Sequence, residues 1–372
     1  MGDLPRILLS APEVGSAERH ALLTSFDEGW IAPVGPDLDA FEVELGEYTN
    51  SSACVALASG TAALHLGLLG AGVKPGDDVV VQSATFAASA FAVVHAGANP
   101  VFLDSEHGSW CLDPHLLAEF LSERADANCL PAAVMPVDLY GSTADYPAIG
   151  AACADYGIPV VRDAAEALGS ISTSGQLGNL NVPTALSFNG NKIITTSSGG
   201  ALLGSADLIE RARYLATQAR QPVLHYEHVD IGFNYRMSNL LAALGRVQLA
   251  GLEKEIERRS KIASQYREAF PHFGWCPFEQ TLRPNNWLTV AILPAGDPLE
   301  ICRALDDLGI EARPAWKPMH QQPVFAKHEM VYGQGVADAL FASGICLPSG
   351  STLTDADVGR VINSVRTVLA KV

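Results

Sequence analysis

A chain of 372 residues with 48% apolar and only 17% charged side chains has room for one large domain with a smaller companion, and suggests surface hidden in an oligomer. A net charge of −17 excludes nucleic acid or an anionic membrane as partner, because both need clustered Lys and Arg; a small phosphorylated ligand can still be held by backbone N–H groups and one or two arginines. Seven scattered cysteines, odd in number and without C-x-x-C pairing, fit a reducing cytoplasm better than a disulfide framework or a zinc site, so no metal is expected.

No signal-peptide h-region is visible in MGDLPRILLS, and no run approaches the roughly eighteen apolar residues of a membrane span, so a soluble cytoplasmic protein is expected. From residue 53 onward short apolar runs alternate with helical stretches. The runs are 53–58, 77–83, 99–104, 132–138, 158–163, 184–188 and 200–205. Continuous Val/Ile/Leu runs mark strands covered on both faces, and their alternation with helices predicts right-handed crossovers in a mainly parallel sheet. Helices are predicted over 206–219 and 237–269, the second bridging a large domain (1–250) and a smaller α+β domain (251–372). A Pro/Gly-rich stretch, PHFGWCPFEQTLRPNN (271–286), reads as a boundary. Thr354 and Asp357 have the spacing of a capping box for the last helix.

In open parallel sheets ligands bind beyond the carboxyl ends of the strands. Ser59-Gly60-Thr61-Ala62 follows the first run and opens a helix, which makes it either an anion seat or an ordinary helix cap. No G-x-G-x-x-G or G-x-x-x-x-G-K-[ST] stands at a strand end, which argues against dinucleotide or nucleoside triphosphate binding in those modes. Asp163 ends IPVVRD, where a buried carboxylate needs a partner: the start of the next segment, or a cationic ring nitrogen. Phe86 follows its own strand and is either core or a stacking face. Within the first 250 positions only Lys74 and Lys192 are lysines, and Lys192 lies in SFNGNKIITTSSGG with no acid within four residues. Taken together, an anion seat, a flat aromatic, a buried aspartate and a loop lysine describe pyridoxal phosphate held as a Schiff base.

These stretches resemble the DegT/StrS-type family of pyridoxal phosphate-dependent nucleotide-sugar aminotransferases over nearly the whole chain. The carriers include ALASGTAALHLGLLGAGVKPGDDVVVQSATFAASA (56–90), PVDLYG (136–141), VVRDAAEALGS (160–170), SFNGNKIITTSSGG (187–200), HYEHVDIGFNYRMSNLLAA (225–243) and ARPAWKPMH (312–320). The resemblance implies the aspartate-aminotransferase fold (fold type I), with a seven-stranded sheet in an α/β large domain. It implies that Lys192 carries the cofactor and shuttles protons, that Asp163 keeps the pyridine nitrogen protonated and that Phe86 stacks on the ring. Gly60, Thr61 and Ser187, with Ser59 and Ala62 beside them, would hold the phosphate, and Asn234 would reach in from the second subunit of a homodimer. Glu166 stands where many relatives have His or Gln. Lys192 sets the chain apart from the family's dehydratases, which have His there.

The branch resembled most is the UDP-N-acetylbacillosamine type, through DAAEALGS, SFNGNKIITT, HYEH and WKPMH. It implies transfer of the amine of L-glutamate to a UDP-linked 4-keto-6-deoxy-N-acetylhexosamine, with pyridoxal and pyridoxamine phosphate alternating. A GDP- or dTDP-linked sugar is the nearest rival, and a catalytically silent regulator is a rival that intact Lys192, Asp163 and Thr61 oppose. Arg220, Arg313 and Lys317 are candidates for substrate anions, or else surface cations paired with some of the 41 acids. Trp30, His225, Tyr226 and His320 are candidates to line the sugar site by analogy.

Overall fold

The computed structural model describes residues 5–328 and 330–371. Two helices, α1 (Ser16–Asp27) and α2 (Pro36–Thr49), precede the alternation anticipated from the apolar runs. It proceeds through β1 (Ala53–Leu57), α3 (Gly60–Gly70), β2 (Asp78–Gln82), α4 (Ala87–His95), β3 (Asn99–Leu103), α5 (Pro114–Asp126), β4 (Ala133–Met135), α6 (Tyr146–Ala154) and β5 (Arg162–Asp163). The short β6 (Ile171–Ser172), then β7 (Thr184–Ser187), β8 (Gly200–Gly204) and α7 (Ala206–Ala216) complete this half. The long α8 (Asn239–Ala269) leads to β9 (Gly274–Trp275), β10 (Thr281–Arg283), β11 (Thr289–Ile292), α9 (Pro298–Asp306) and β12 (Arg313–Pro314). Last come β13 (Met330–Tyr332), α10 (Val336–Ser343), β14 (Gly344–Leu347) and α11 (Asp355–Leu369).

Val80 packs into one apolar cluster while its neighbours Val79 and Val81 pack into another. That alternation means the sheet is covered on both faces, as unbroken apolar runs require. The seven strands expected between 53 and 205 divide between two four-stranded sheets, ordered β13-β3-β2-β4 and β1-β8-β7-β5. The first is parallel; in the second β8 runs antiparallel to both β1 and β7. Isolated parallel bridges Val134↔Val160 and Val137↔Asp163 join the two along the β4 and β5 edges. Pro136 and Pro159 sit on those edges and only accept, from Asp163 N–H and Val134 N–H, so the ladder is broken where a proline has no donor to give.

The C-terminal part builds its own antiparallel sheet, β12-β14-β11-β9, over a third cluster that includes Ile262, Tyr266, Ile345 and Val361. Yet β10 pairs with β6 and β13 with β3, so segments beyond residue 250 return to the N-terminal half. Thr354 and Asp357 form the expected capping box on α11. Among the described residues no helix is long and apolar enough to cross a membrane, and no group of His, Cys, Asp and Glu could hold a metal ion.

Asp104, just after β3 and fully buried, ties the two halves together. Its Oδ2 accepts from the N–H groups of Gln334 (2.9 Å), Gly335 (2.7 Å) and Val336 (2.9 Å), and its Oδ1 from Ala337 (2.9 Å). A carboxylate there satisfies the orphan donors of α10 and complements its dipole. Asp104→Ala is expected to lower the urea midpoint by an amount equivalent to about 2 kcal/mol, and Asp104→Asn, which keeps an acceptor, by less.

Candidate active site

Lys192 sits on the loop that joins β7 to β8. The loop is closed by Phe188 N–H on Gly199 O (2.9 Å), Thr196 N–H on Phe188 O (3.0 Å) and Lys192 N–H on Asn189 O (2.9 Å). The lysine side chain is 10% exposed and its Nζ lies 3.6 Å from Glu166 Oε1. The same Nζ lies 4.0 Å from the centre of the Trp287 ring. An ammonium in so dry a place interacts strongly with any charge nearby.

Two carboxylates face it. Asp163, at the end of β5, accepts from Ser89 Oγ (2.6 Å) and from Ala165 N–H (3.1 Å). Burial pushes its carboxyl up; those two hydrogen bonds and the Lys192 charge pull the other way without cancelling it. Glu166 accepts from Tyr140 N–H (2.8 Å) and from Trp316 Nε1–H (3.4 Å). It too is pushed up by burial, against the opposing charge of Lys192 and the Tyr140 N–H. Alternation along β5 sends Arg162 to the opposite side from Asp163, where its Nε donates to buried Asp138 (2.7 Å) and Tyr146 OH donates to the same carboxylate (3.0 Å). That neighbouring charge pair is therefore self-contained.

The anion seat is the start of α3. Ser59 caps it by accepting from Ala62 N–H (3.1 Å), and the first turn carries no acid. A Cβ on Gly60 would lie 2.9 Å from Ser187 Cβ, and one on Gly200 would lie 2.5 Å from Gly60 N. Only glycines let the helix begin so close to the ends of β7 and β8. A cavity of about 290 Å³ opens here, lined by Ser59, Gly60, Thr61, Phe86, Asp163, Glu166, Ser187 and Lys192 together with Ser198, Trp287 and Trp316. Phe86, at the N-terminus of α4 and 57% exposed, lies 6.0 Å from Trp316, edge to face. The lining fits pyridoxal phosphate: unopposed helix N–H groups and hydroxyls for a phosphate, an open aromatic face for a ring, an amine for an aldehyde, and a buried carboxylate suited to a cationic nitrogen.

The other expected residues lie outside that lining. Ala62 is buried one position inside the helix. Asn234 is exposed, its Oδ1 accepting from Gln218 Nε2 (3.0 Å). Arg220 stacks over Tyr226 (4.7 Å), His225 pairs with Glu227 (3.4 Å), and Trp30 is 42% exposed. Arg313 pairs with Glu311 (2.9 Å); the Lys317 carbonyl accepts from Gln322 Nε2 (3.2 Å). His320 is held between Ser83 Oγ (2.7 Å) and Asp338 (3.0 Å). Two lining residues were not anticipated: Trp287, which directly follows the Pro/Gly-rich boundary stretch, and Trp316, which lies within ARPAWKPMH.

A family model described as the DegT/DnrJ/EryC1/StrS aminotransferase family matches residues 12–366. EpsN of Bacillus subtilis (strain 168), named as a candidate pyridoxal phosphate-dependent aminotransferase, is 43% identical over 366 residues, 96% of this chain and 94% of its own. GDP-perosamine synthase of Caulobacter vibrioides is 35% identical over 381 aligned positions, 99% of this chain and all of its own. The solved structure of Spr1654 from Streptococcus pneumoniae, named as a candidate sugar aminotransferase and determined in its PMP form, matches with a TM-score of 0.90 at 26% identity, over 98% of each chain.

Because burial raises Asp163, its contribution to stability is complete below the ordinary range of an unfolded Asp and is lost as pH rises through its folded value. Asp163→Asn is therefore expected to raise the melting temperature of the cofactor-free protein near pH 8, with the gain vanishing near pH 4, while weakening retention of the cofactor. Both are read by thermal scans with and without added pyridoxal phosphate.

Proposed function

We propose that this chain, which belongs to the DegT/DnrJ/EryC1/StrS aminotransferase family, moves the amine of L-glutamate to the 4-keto group of a UDP-linked 4-keto-6-deoxy-N-acetylhexosamine. The observation that carries the chemistry is the convergence of Lys192, Asp163 and the α3 N-terminus on one cavity. The UDP sugar is supported by the likeness of DAAEALGS, SFNGNKIITT, HYEH and WKPMH to the bacillosamine-type branch. A GDP-linked sugar is the second reading, favoured by 35% identity to a GDP-perosamine synthase over nearly the whole chain.

Bound here, pyridoxal phosphate supplies a conjugated ring that accepts the electron pair left when a proton leaves the amine-bearing carbon. Asp163 is placed to keep a proton on the pyridine nitrogen. Gly60 and Thr61, with the hydroxyl of Ser187, take the phosphate, and Phe86 covers one ring face. Lys192 Nζ takes the proton from the carbon of glutamate and, in the second half, returns one to the carbon of the sugar. Glu166, 3.6 Å from Nζ, offsets the lysine's charge whenever it is an ammonium. Trp287 and Trp316 keep bulk water from the lysine.

A homodimer with shared sites belongs to the same reading. Leu224, Tyr226, Val229 and Ile231 are 105%, 80%, 71% and 89% exposed, an apolar stretch that a second copy would cover. Asn234 follows it directly and would reach the phosphate of the opposite site; Arg220, His225, Tyr226, Arg313, Lys317, His320 and Trp30 remain the proposed contacts for substrate.

Incubation with L-glutamate and a panel of UDP-, GDP- and dTDP-4-keto-6-deoxy sugars, read by product mass and 2-oxoglutarate release, is expected to show amination of the UDP sugar. Amination of the GDP sugar alone would select the second reading. Lys192→Ala and Asn234→Trp are each expected to be inactive, and equal mixing after subunit exchange should restore about a quarter of wild-type activity, because half the dimers then hold one intact site of two. No recovery from dimers shown to have exchanged would rule out shared sites.

A further inference from the structure

Trp287 directly follows the stretch that composition marks as a boundary, and its indole is deeply buried at 1% exposure. It is fixed on every side. Its Nε1–H donates to Asn191 O (2.7 Å), on the residue before Lys192. Its backbone N–H donates to Asn285 Oδ1 (2.9 Å) and its carbonyl accepts from Arg259 Nη1 (2.8 Å), a buried guanidinium on α8. Asn285 in turn donates through Nδ2 to the carbonyls of Glu166 and Leu168, both at 2.9 Å. The linker therefore clasps the lysine loop and the Glu166 turn together. Over the indole face, 4.0 Å from its centre, stands Lys192 Nζ. The carboxylate at 3.6 Å is beyond hydrogen-bond length, so the π face is a close and geometrically fixed neighbour of the ammonium.

We propose that Trp287 is a positioning residue for Lys192: its indole face seats the ε-ammonium whenever that nitrogen carries no bond to a carbonyl carbon, and its N–H holds the peptide that aims the lysine. A cation over a Trp face is the strongest interaction of its kind, more so when desolvated, and it favours the charged ammonium over the neutral amine. An amine attacks a carbonyl carbon only when unprotonated, so the nitrogen must lose its proton and leave the ring before it reacts. The charged groups that face Lys192 are Glu166, on the turn after β5, and Asp163, at the end of β5. Behind Glu166 stand Tyr140 and Cys346, both pushed up by burial and so uncharged. All four remain in a Trp287 variant, so a change of behaviour there reports the indole.

The inference rests on Lys192 being the reacting amine of the proposed function, but its test does not require turnover. The full-length protein, stripped of cofactor, is treated with fluorodinitrobenzene, and modification of the Lys192 peptide is followed by mass spectrometry from about pH 7 to about pH 10.5. Trp287→Leu is expected to be labelled about tenfold faster than wild type at the low end, with the gain fading as lysine amines become neutral at the high end. Trp287→Phe, which keeps a weaker aromatic face, should fall between the two. A gain of the same factor at every pH would mean only an opened cavity and would overturn the proposal, as would equal rates at the low end. If circular dichroism shows the leucine variant unfolded, the phenylalanine variant decides: faster labelling at low pH alone supports the seat, and any other profile overturns it. A failure of the aminotransferase reading would show in the sugar panel and leave this labelling profile unchanged.

Discussion

Everything in the site follows from burying two carboxylates beside one ammonium. Asp163 and Glu166 are each 4% exposed, and Lys192 brings a single positive charge within 3.6 Å of one of them. Buried ions are costly unless neighbours compensate them, and the surroundings are arranged to do so. Ser89 and Ala165 donate to Asp163, and Tyr140 and Trp316 donate to Glu166. These donors do not cancel the penalty: both acids remain displaced upward. A cationic ring nitrogen completes the account, since it adds the positive charge that the three side chains lack among themselves.

The fold puts these groups in one layer by ending strands at the same level. Lys192, Asp163 and Ser187 all lie at or just past the ends of parallel neighbours β5 and β7. The antiparallel β8 then passes directly behind the start of α3, so closely that Gly200 admits no side chain. Access of backbone N–H groups to an anion thus depends on two glycines, one on each side of that approach. The Arg162–Asp138 pair, on the other side of β5, settles its own charge and leaves Asp163 to the cavity.

What could be read from the residues alone was what lies at strand ends. Lys192, Ser59, Gly60, Thr61 and Phe86 follow apolar runs and Asp163 ends one, and the structure brings all six to one cavity. The sheet was legible as alternation, but its division into two ladders depends on where Pro136 and Pro159 fall along the facing β4 and β5 edges, a register that no local pattern contains. Trp287 and Trp316 were hidden for a different reason. They come from beyond α8, and no local pattern says which side chain a segment delivers to a distant loop. The segment around Leu224 and Ile231 carries exposed apolar positions outside any helix or strand, which no apolar-run pattern singles out.

The account stands or falls on the bond that Lys192 makes. Pyridoxal phosphate is added to the protein, the mixture is reduced with borohydride, and the proteolysed chain is searched for the fixed cofactor. The account predicts the adduct on the peptide carrying Lys192, and none there when Lys192 is replaced by Ala. A chain that carries no adduct, or carries it only on other lysines, would contradict it.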